Sequence, residues 1–134
     1  MSCKKRGGKV TDFNFIDSSI WINFAININN ENADIINSDK NLLTSALSLF
    51  EVKKRLIKDK VLRKDIEKII DFIKKRSLII NVEDRIAERA ADLAIENNLP
   101  AMDSLIYASS LENDAELITL DNDFRGLKNV SLRN

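Results

Sequence analysis

The chain has 134 residues, 44% hydrophobic and 31% charged, with 21 Lys+Arg balancing 21 Asp+Glu; this is the profile of one globular domain and excludes a disordered or membrane-spanning chain. It has no histidine and one cysteine, Cys3, which removes imidazole bases, Ser-His-Asp and Cys-His nucleophile systems, histidine-ligated zinc and any internal disulfide, and leaves carboxylates to lead any chemistry. The neutral total hides a split, since residues 1–80 hold 16 Lys+Arg against 10 Asp+Glu and residues 81–134 hold 5 against 11; solvated helix faces and a local basic surface for a phosphate backbone both fit it.

Residues 1–12 are polar, basic and glycine-containing and read as a flexible arm. No apolar stretch of signal-peptide length follows them, so a cytoplasmic protein is expected. Phe13-Asn14-Phe15-Ile16 predicts a short strand ending at Asp17, after which Ser18 and Ser19 are able to cap a helix carrying Ile20, Trp21, Ile22 and Phe24. A second short helix is expected within Asn29 to Asp39, and a strand over Asn41 to Thr44. Ser45 to Asp59 reads as a helix with Leu47, Phe50 or Glu51, and Lys54 on one side, which leaves Glu51 half-buried.

From Lys60 to Arg76, Val61, Ile66, Ile69, Ile70 and Ile73 recur at helical spacing, and Lys74-Lys75-Arg76 suits the negative end of the helix dipole. Ser77 to Asn81 reads as a third strand, and Glu83 to Asn98 as a helix with Ile86, Ala90, Leu93 and Ala94 inward. After Pro100 a helix is expected from Asp103 to Asn113, then a strand from Ala115 to Thr119, and a short fifth strand within Asn129 to Leu132. Strands separated by helices imply parallel pairing through crossovers, hence a three-layer α/β/α sandwich around a mostly parallel sheet of four to five strands. In such sheets ligands gather at the carboxyl ends of the strands.

Four acids stand at informative places in that scheme. Taken singly, Asp17 and Asp103 are ordinary helix caps, Glu51 an ordinary surface glutamate and Asp121 a turn residue. Taken together, a parallel sheet is able to gather them along one edge. Carboxylates brought so close raise one another's pKa, and a divalent cation supplies the missing charge. Oxygen-only donors favour magnesium or manganese over zinc.

Phe15-Ile16-Asp17-Ser18-Ser19, Ser48-Leu49-Phe50-Glu51-Val52, Met102-Asp103-Ser104-Leu105-Ile106-Tyr107-Ala108 and Leu117-Ile118-Thr119-Leu120-Asp121-Asn122-Asp123-Phe124 resemble, in order and spacing, the four signature blocks of PIN domains of the small VapC toxin type. The resemblance implies a PIN domain over residues 13–134, Mg2+- or Mn2+-dependent endoribonuclease activity and inhibition by a cognate VapB-type antitoxin. It assigns Asp17, Glu51, Asp103 and Asp121 as the catalytic, metal-binding acids and Asp123 as a further ligand. Ser19 and Thr119 match the family's small hydroxyl residues, which orient carboxylates beside the metal.

Lys53, Lys54 and Arg55, with Lys58, Lys60, Arg63 and Lys64, form a candidate RNA-facing rim, to which Arg125 adds a possible phosphate contact. Trp21, Phe24, Leu47 and Phe50 read as core or as part of the antitoxin groove that early helices line in relatives. A homodimer is expected, and no membrane association. A non-catalytic protein-binding module and a housekeeping RNA-processing nuclease are the alternatives. Carboxylate-pair glycoside hydrolysis ranks last, because one tryptophan and one tyrosine offer little surface for sugar stacking.

Overall fold

The computed structural model describes residues 13–27 and 32–133; the arm read over residues 1–12 and the first three residues of the range expected to hold a second helix, 29–31, lie outside the described residues. Five strands form one sheet: β1 (Phe13–Ile16), β2 (Asn41–Ser45), β3 (Ser77–Ile80), β4 (Glu116–Thr119) and β5 (Val130–Leu132). Their order is β3-β2-β1-β4-β5 and every pairing is parallel. The helices are α1 (Ser18–Ile26), α2 (Ala33–Ile36), α3 (Ala46–Lys58), α4 (Arg63–Arg76), α5 (Asp84–Asn97) and α6 (Ala101–Glu112), and a 3-10 turn covers Asn122–Phe124. The expected three-layer α/β/α sandwich is what forms.

Alternation along the strands builds the layers. Ile16, Leu42 and Ile118 point to one face and join Ile20, Trp21, Val52, Leu56, Ile66 and Ile73 from α1, α3 and α4. Phe15, Leu43 and Leu117 point to the other and meet Ile106 and Tyr107 of α6, which in turn packs on α5 through Ala108, Ile86 and Ala90. Each apolar side chain of this size that is fully buried contributes roughly 1.5–3 kcal/mol. Trp21 is pinned as well as buried: its Nε1 donates to Thr44 Oγ1 at 3.1 Å, and that hydroxyl donates to the Ile16 carbonyl at 2.7 Å. This chain of bonds fixes α1 against the two strands that carry the next site residues.

Two helix starts and the inward face of a third helix differ from the expected ones. α6 starts at Ala101, with Pro100 before it, so Asp103 lies in its first turn and is not its cap. The helix expected from Lys60 starts at Arg63, because α3 closes in a C-terminal loop with Lys60 in the left-handed region at φ 61°. There the amide of Val61 bonds the carbonyl of Leu56 and that of Lys60 bonds Ile57, a Schellman closure made without glycine. The deepest stripe of α3 is Ser48, Val52 and Leu56, which turns Leu47 and Glu51 to its margin and Phe50 and Lys54 to solvent.

The sheet order sets the place of the site. From β1 the chain moves outward through β2 to β3, then returns to the other side of β1 for β4 and β5. The order therefore reverses between β1 and β4, the kind of crevice in which open α/β sheets bind ligands. Asp17 follows β1 and Asp121 follows β4 by one residue, on either side of that crevice.

Candidate metal centre

Asp17 leaves β1 with its backbone amide bonded to the Ile118 carbonyl at 3.0 Å, so neighbouring strand ends hold it. The residue is only 5% exposed. Oδ2 accepts from Ser19 Oγ at 2.7 Å and from Thr119 Oγ1 at 2.8 Å. Burial pushes the Asp17 carboxyl above its ordinary range, and the Ser19 and Thr119 hydroxyls partly oppose that rise. The same hydroxyls hold the β4 exit, since Ser19 Oγ accepts from the Leu120 amide at 3.0 Å and Thr119 Oγ1 from the Asp121 amide at 3.0 Å.

Glu51 reaches the site from the second turn of α3, whose start is capped by Ser45 Oγ accepting from the Leu47 amide. Its Oε1 accepts from Ser18 Oγ at 2.9 Å. Burial raises the Glu51 carboxyl and the Ser18 bond lowers it; the charges of Asp17 and Asp121 raise it further, and the Lys54 ammonium opposes them. Ser18 is a contributor that the sequence reading passed over. Its signal was the doubled serine after Asp17, but only the fold shows that the first hydroxyl goes to Glu51 of α3.

Asp103, Asp121 and Asp123 come closest together: one carboxylate oxygen from each lies within 4.8 Å of the others. Asp121 also turns the chain, its Oδ1 accepting from the Asp123 amide at 2.9 Å, which aims both acids from one short loop. The Asp103 carboxyl is pushed up to about 7, first by burial, then by the charge of Asp121, the hydrogen bond with Asp123 and the charges of Asp17 and Asp123. The α6 dipole favours its ionisation by only about 0.3–1 kcal/mol and does not reverse the rise.

All five predicted acids thus share one electrostatic neighbourhood, but not equally. The tight oxygen cluster is Asp103, Asp121 and Asp123; Asp17 and Glu51 stand beside it, held by hydroxyls. The donor set suits a hard divalent cation. Ligand oxygens around magnesium stand about 3–4 Å apart, given bonds of about 2.1 Å in octahedral geometry. Oxygens from Asp103, Asp121 and Asp123 already within 4.8 Å of one another need at most a small closing movement to meet that spacing.

The basic rim is exposed as expected at Lys53, Lys54 and Arg55. Arg55 is engaged by Asp59 at 2.9 Å, and Arg125 Nη2 donates to Asn122 Oδ1 at 2.8 Å. Of the four apolar residues read as core or groove, Trp21 is core at 1% exposure, Phe24 and Leu47 are half-buried, and Phe50 is 55% exposed. Trp21, Phe24, Ala25, Ile69 and Phe72 line an apolar groove between α1 and α4, with the Phe24 and Phe72 rings stacked at 5.8 Å.

The family model of the PIN domain matches residues 15–130. The chain belongs to the PIN domain family. Among solved structures, this PIN domain is similar to a toxin-antitoxin complex from Klebsiella pneumoniae (25% identity, TM-score 0.75, 88% of this chain and 95% of the other). It is also similar to VapBC2 from Rickettsia felis bound to a DNA fragment from their promoter (20% identity, TM-score 0.71, 91% and 98%). A third is the sarcin-ricin-loop-cleaving toxin VapC20 from Mycobacterium tuberculosis (16% identity, TM-score 0.70, 90% and 99%). At these last two identities the likeness is one of fold. Comparison with curated proteins gives no match. Among the described residues no helix is long and apolar enough to cross a membrane.

Proposed function

We propose that this PIN domain is a VapC-type toxin endoribonuclease that hydrolyses RNA phosphodiester bonds with Mg2+ or Mn2+ and is inhibited by a VapB-type antitoxin. The observation that carries the reading is the meeting of Asp103, Asp121 and Asp123 within 4.8 Å, beside Asp17 and Glu51, at the reversal point of a PIN fold. When bound, a divalent ion activates water and neutralises charge developing on the phosphodiester, which removes the need for histidine.

The chain's own residues do the rest. Asp103, Asp121 and Asp123 offer the innermost oxygens. Asp17 is held by Ser19 and Thr119, and Glu51 by Ser18, so their carboxylates meet a ligand without reorientation. Without metal, burial and the neighbouring carboxylates push Asp103 up to about 7, so the cluster keeps a proton to a higher pH than an ordinary carboxylate does. That proton must leave when a cation takes the site.

The apolar groove between α1 and α4 fits a partner helix with hydrophobic anchors, which supports the antitoxin reading, as do the toxin-antitoxin and VapBC complexes among the similar structures. A homodimer in the cytoplasm completes the proposal. The test is incubation of purified protein with total bacterial RNA. Cleavage in Mg2+ or Mn2+, lost in EDTA and in Asp17→Asn, is the expected result, and undiminished cleavage in EDTA contradicts it.

A further inference from the structure

A nuclease needs more than acids: something must hold the RNA chain beside them. On α3, Phe50 directly precedes Glu51, yet its side chain is turned outward and 55% exposed. Leaving an aromatic ring this open forgoes much of the stabilisation that burial would contribute. One turn further on, Lys54 places Nζ over the Phe50 ring, 5.7 Å from its centroid. Lys54 also lies one helical turn from Glu51, whose side chain accepts from Ser18 at the acid cluster. One cation therefore stands in reach of both an exposed ring and the edge of the acid cluster.

Flat apolar surface next to a cation, at the rim of a carboxylate site, matches the chemistry of one unpaired nucleotide. A base stacks on a ring and on a cation–ring pair without regard to its identity, and the attached phosphate takes the ammonium. Bases in duplex RNA are already stacked and unavailable, so such a site selects single-stranded segments.

We propose that Phe50 and Lys54 form a substrate subsite that stacks one unpaired base of the RNA and pairs its phosphate, holding the adjoining strand over the acids. The proposal rests on the ribonuclease reading above. It assigns Phe50 a binding role with no part in metal affinity.

The probe is fluorescein-labelled oligoadenylate, titrated by anisotropy with the full chain in calcium, which neutralises the acids. Phe50→Ala is expected to weaken binding about tenfold, the loss of one stacked base. Phe50→Trp is expected to retain wild-type affinity, and Lys54→Met to lower the salt dependence by about one phosphate contact. Replacing one adenosine after another by an abasic nucleotide is expected to reveal a position that weakens the wild type and leaves Phe50→Ala indifferent. Cleavage of total RNA in Mn2+ by wild type, run alongside, separates the two claims. No cleavage removes the ribonuclease reading and this subsite with it. Cleavage with equal oligoadenylate affinity in wild type and Phe50→Ala overturns the subsite alone. So does an affinity loss that follows dissociation of a dimer in sedimentation, which assigns Phe50 to self-association.

Discussion

Thr119 Oγ1 donates to Asp17 Oδ2 at 2.8 Å, joining two residues 102 positions apart at the carboxyl ends of adjacent strands. The bond is buried, and the hydroxyl also accepts from the Asp121 amide. One small side chain thus orients Asp17 and shapes the loop that carries Asp121 and Asp123. Thr119→Val keeps the volume and removes both bonds. Loss of such a supporting hydroxyl lowers metal affinity by roughly 10–100-fold, and that is the expected weakening of Mn2+ binding by calorimetry. Unchanged affinity in a folded Thr119→Val protein would remove Thr119 from the site.

Stability of the metal-free protein should depend on pH in an unusual direction. Asp17, Glu51 and Asp103 all have raised carboxyl values, Asp103 up to about 7. A raised acid binds protons more tightly folded than unfolded, so its stabilising effect is complete below the unfolded value near 4 and is lost as pH rises through about 7. In EDTA, the melting temperature should therefore be higher at pH 6 than at pH 8. Asp103→Asn should flatten that slope, Mn2+ should restore stability at pH 8, and its binding at pH 6 should release protons. A melting temperature that rises with pH in EDTA would oppose this account of the cluster.

Ser48 lies on the deepest stripe of α3, and its Oγ is the one buried side-chain polar atom without a partner among the described residues. An unsatisfied buried hydroxyl costs about 1–3 kcal/mol, and alanine is the better helix former. Ser48→Ala is expected to stabilise the fold by about 1 kcal/mol in urea titrations. Destabilisation of that size would mean the hydroxyl has a role that the packing does not reveal.

Arg76 offers a contrast remote from the acids. At the end of α4 it donates to the carbonyls of Ile36, Ser38 and Lys40, stapling the link from α2 to β2. Arg76→Met leaves these carbonyls without their charged donor and is expected to destabilise the protein by about 2 kcal/mol, with Mn2+ affinity unchanged. An affinity change matching the Thr119→Val loss would show that metal binding reports general stability and not the supporting bonds.

The order of elements and the acids at strand ends were legible because periodicity and position suffice for both. Ile16, Leu42 and Ile118 alternate with Phe15, Leu43 and Leu117 as strands buried on two faces must. The break between α3 and α4 was legible near Asp59, but the start of α4 at Arg63 was not, since Lys60 occupies a left-handed position that sequence normally marks with glycine or asparagine. Ser19 and Thr119 were assigned to carboxylates by family resemblance, and both bond Asp17; the bond from Ser18 to Glu51 depends on where α3 docks, a tertiary fact. The outward turn of Phe50 has the same origin. Helical spacing placed it near Leu47, but Val52 and Leu56 claim the core, which rotates Phe50 away.

The proposed function requires that these five acids form one cation site on which RNA cleavage depends. Its most direct measurement is a Mn2+ titration followed in parallel by calorimetry and by the rate of RNA cleavage, for wild type and Asp103→Asn. The two curves should coincide for wild type, and binding and cleavage should fall together in Asp103→Asn. Cleavage that proceeds at Mn2+ concentrations where the acids bind nothing would contradict it.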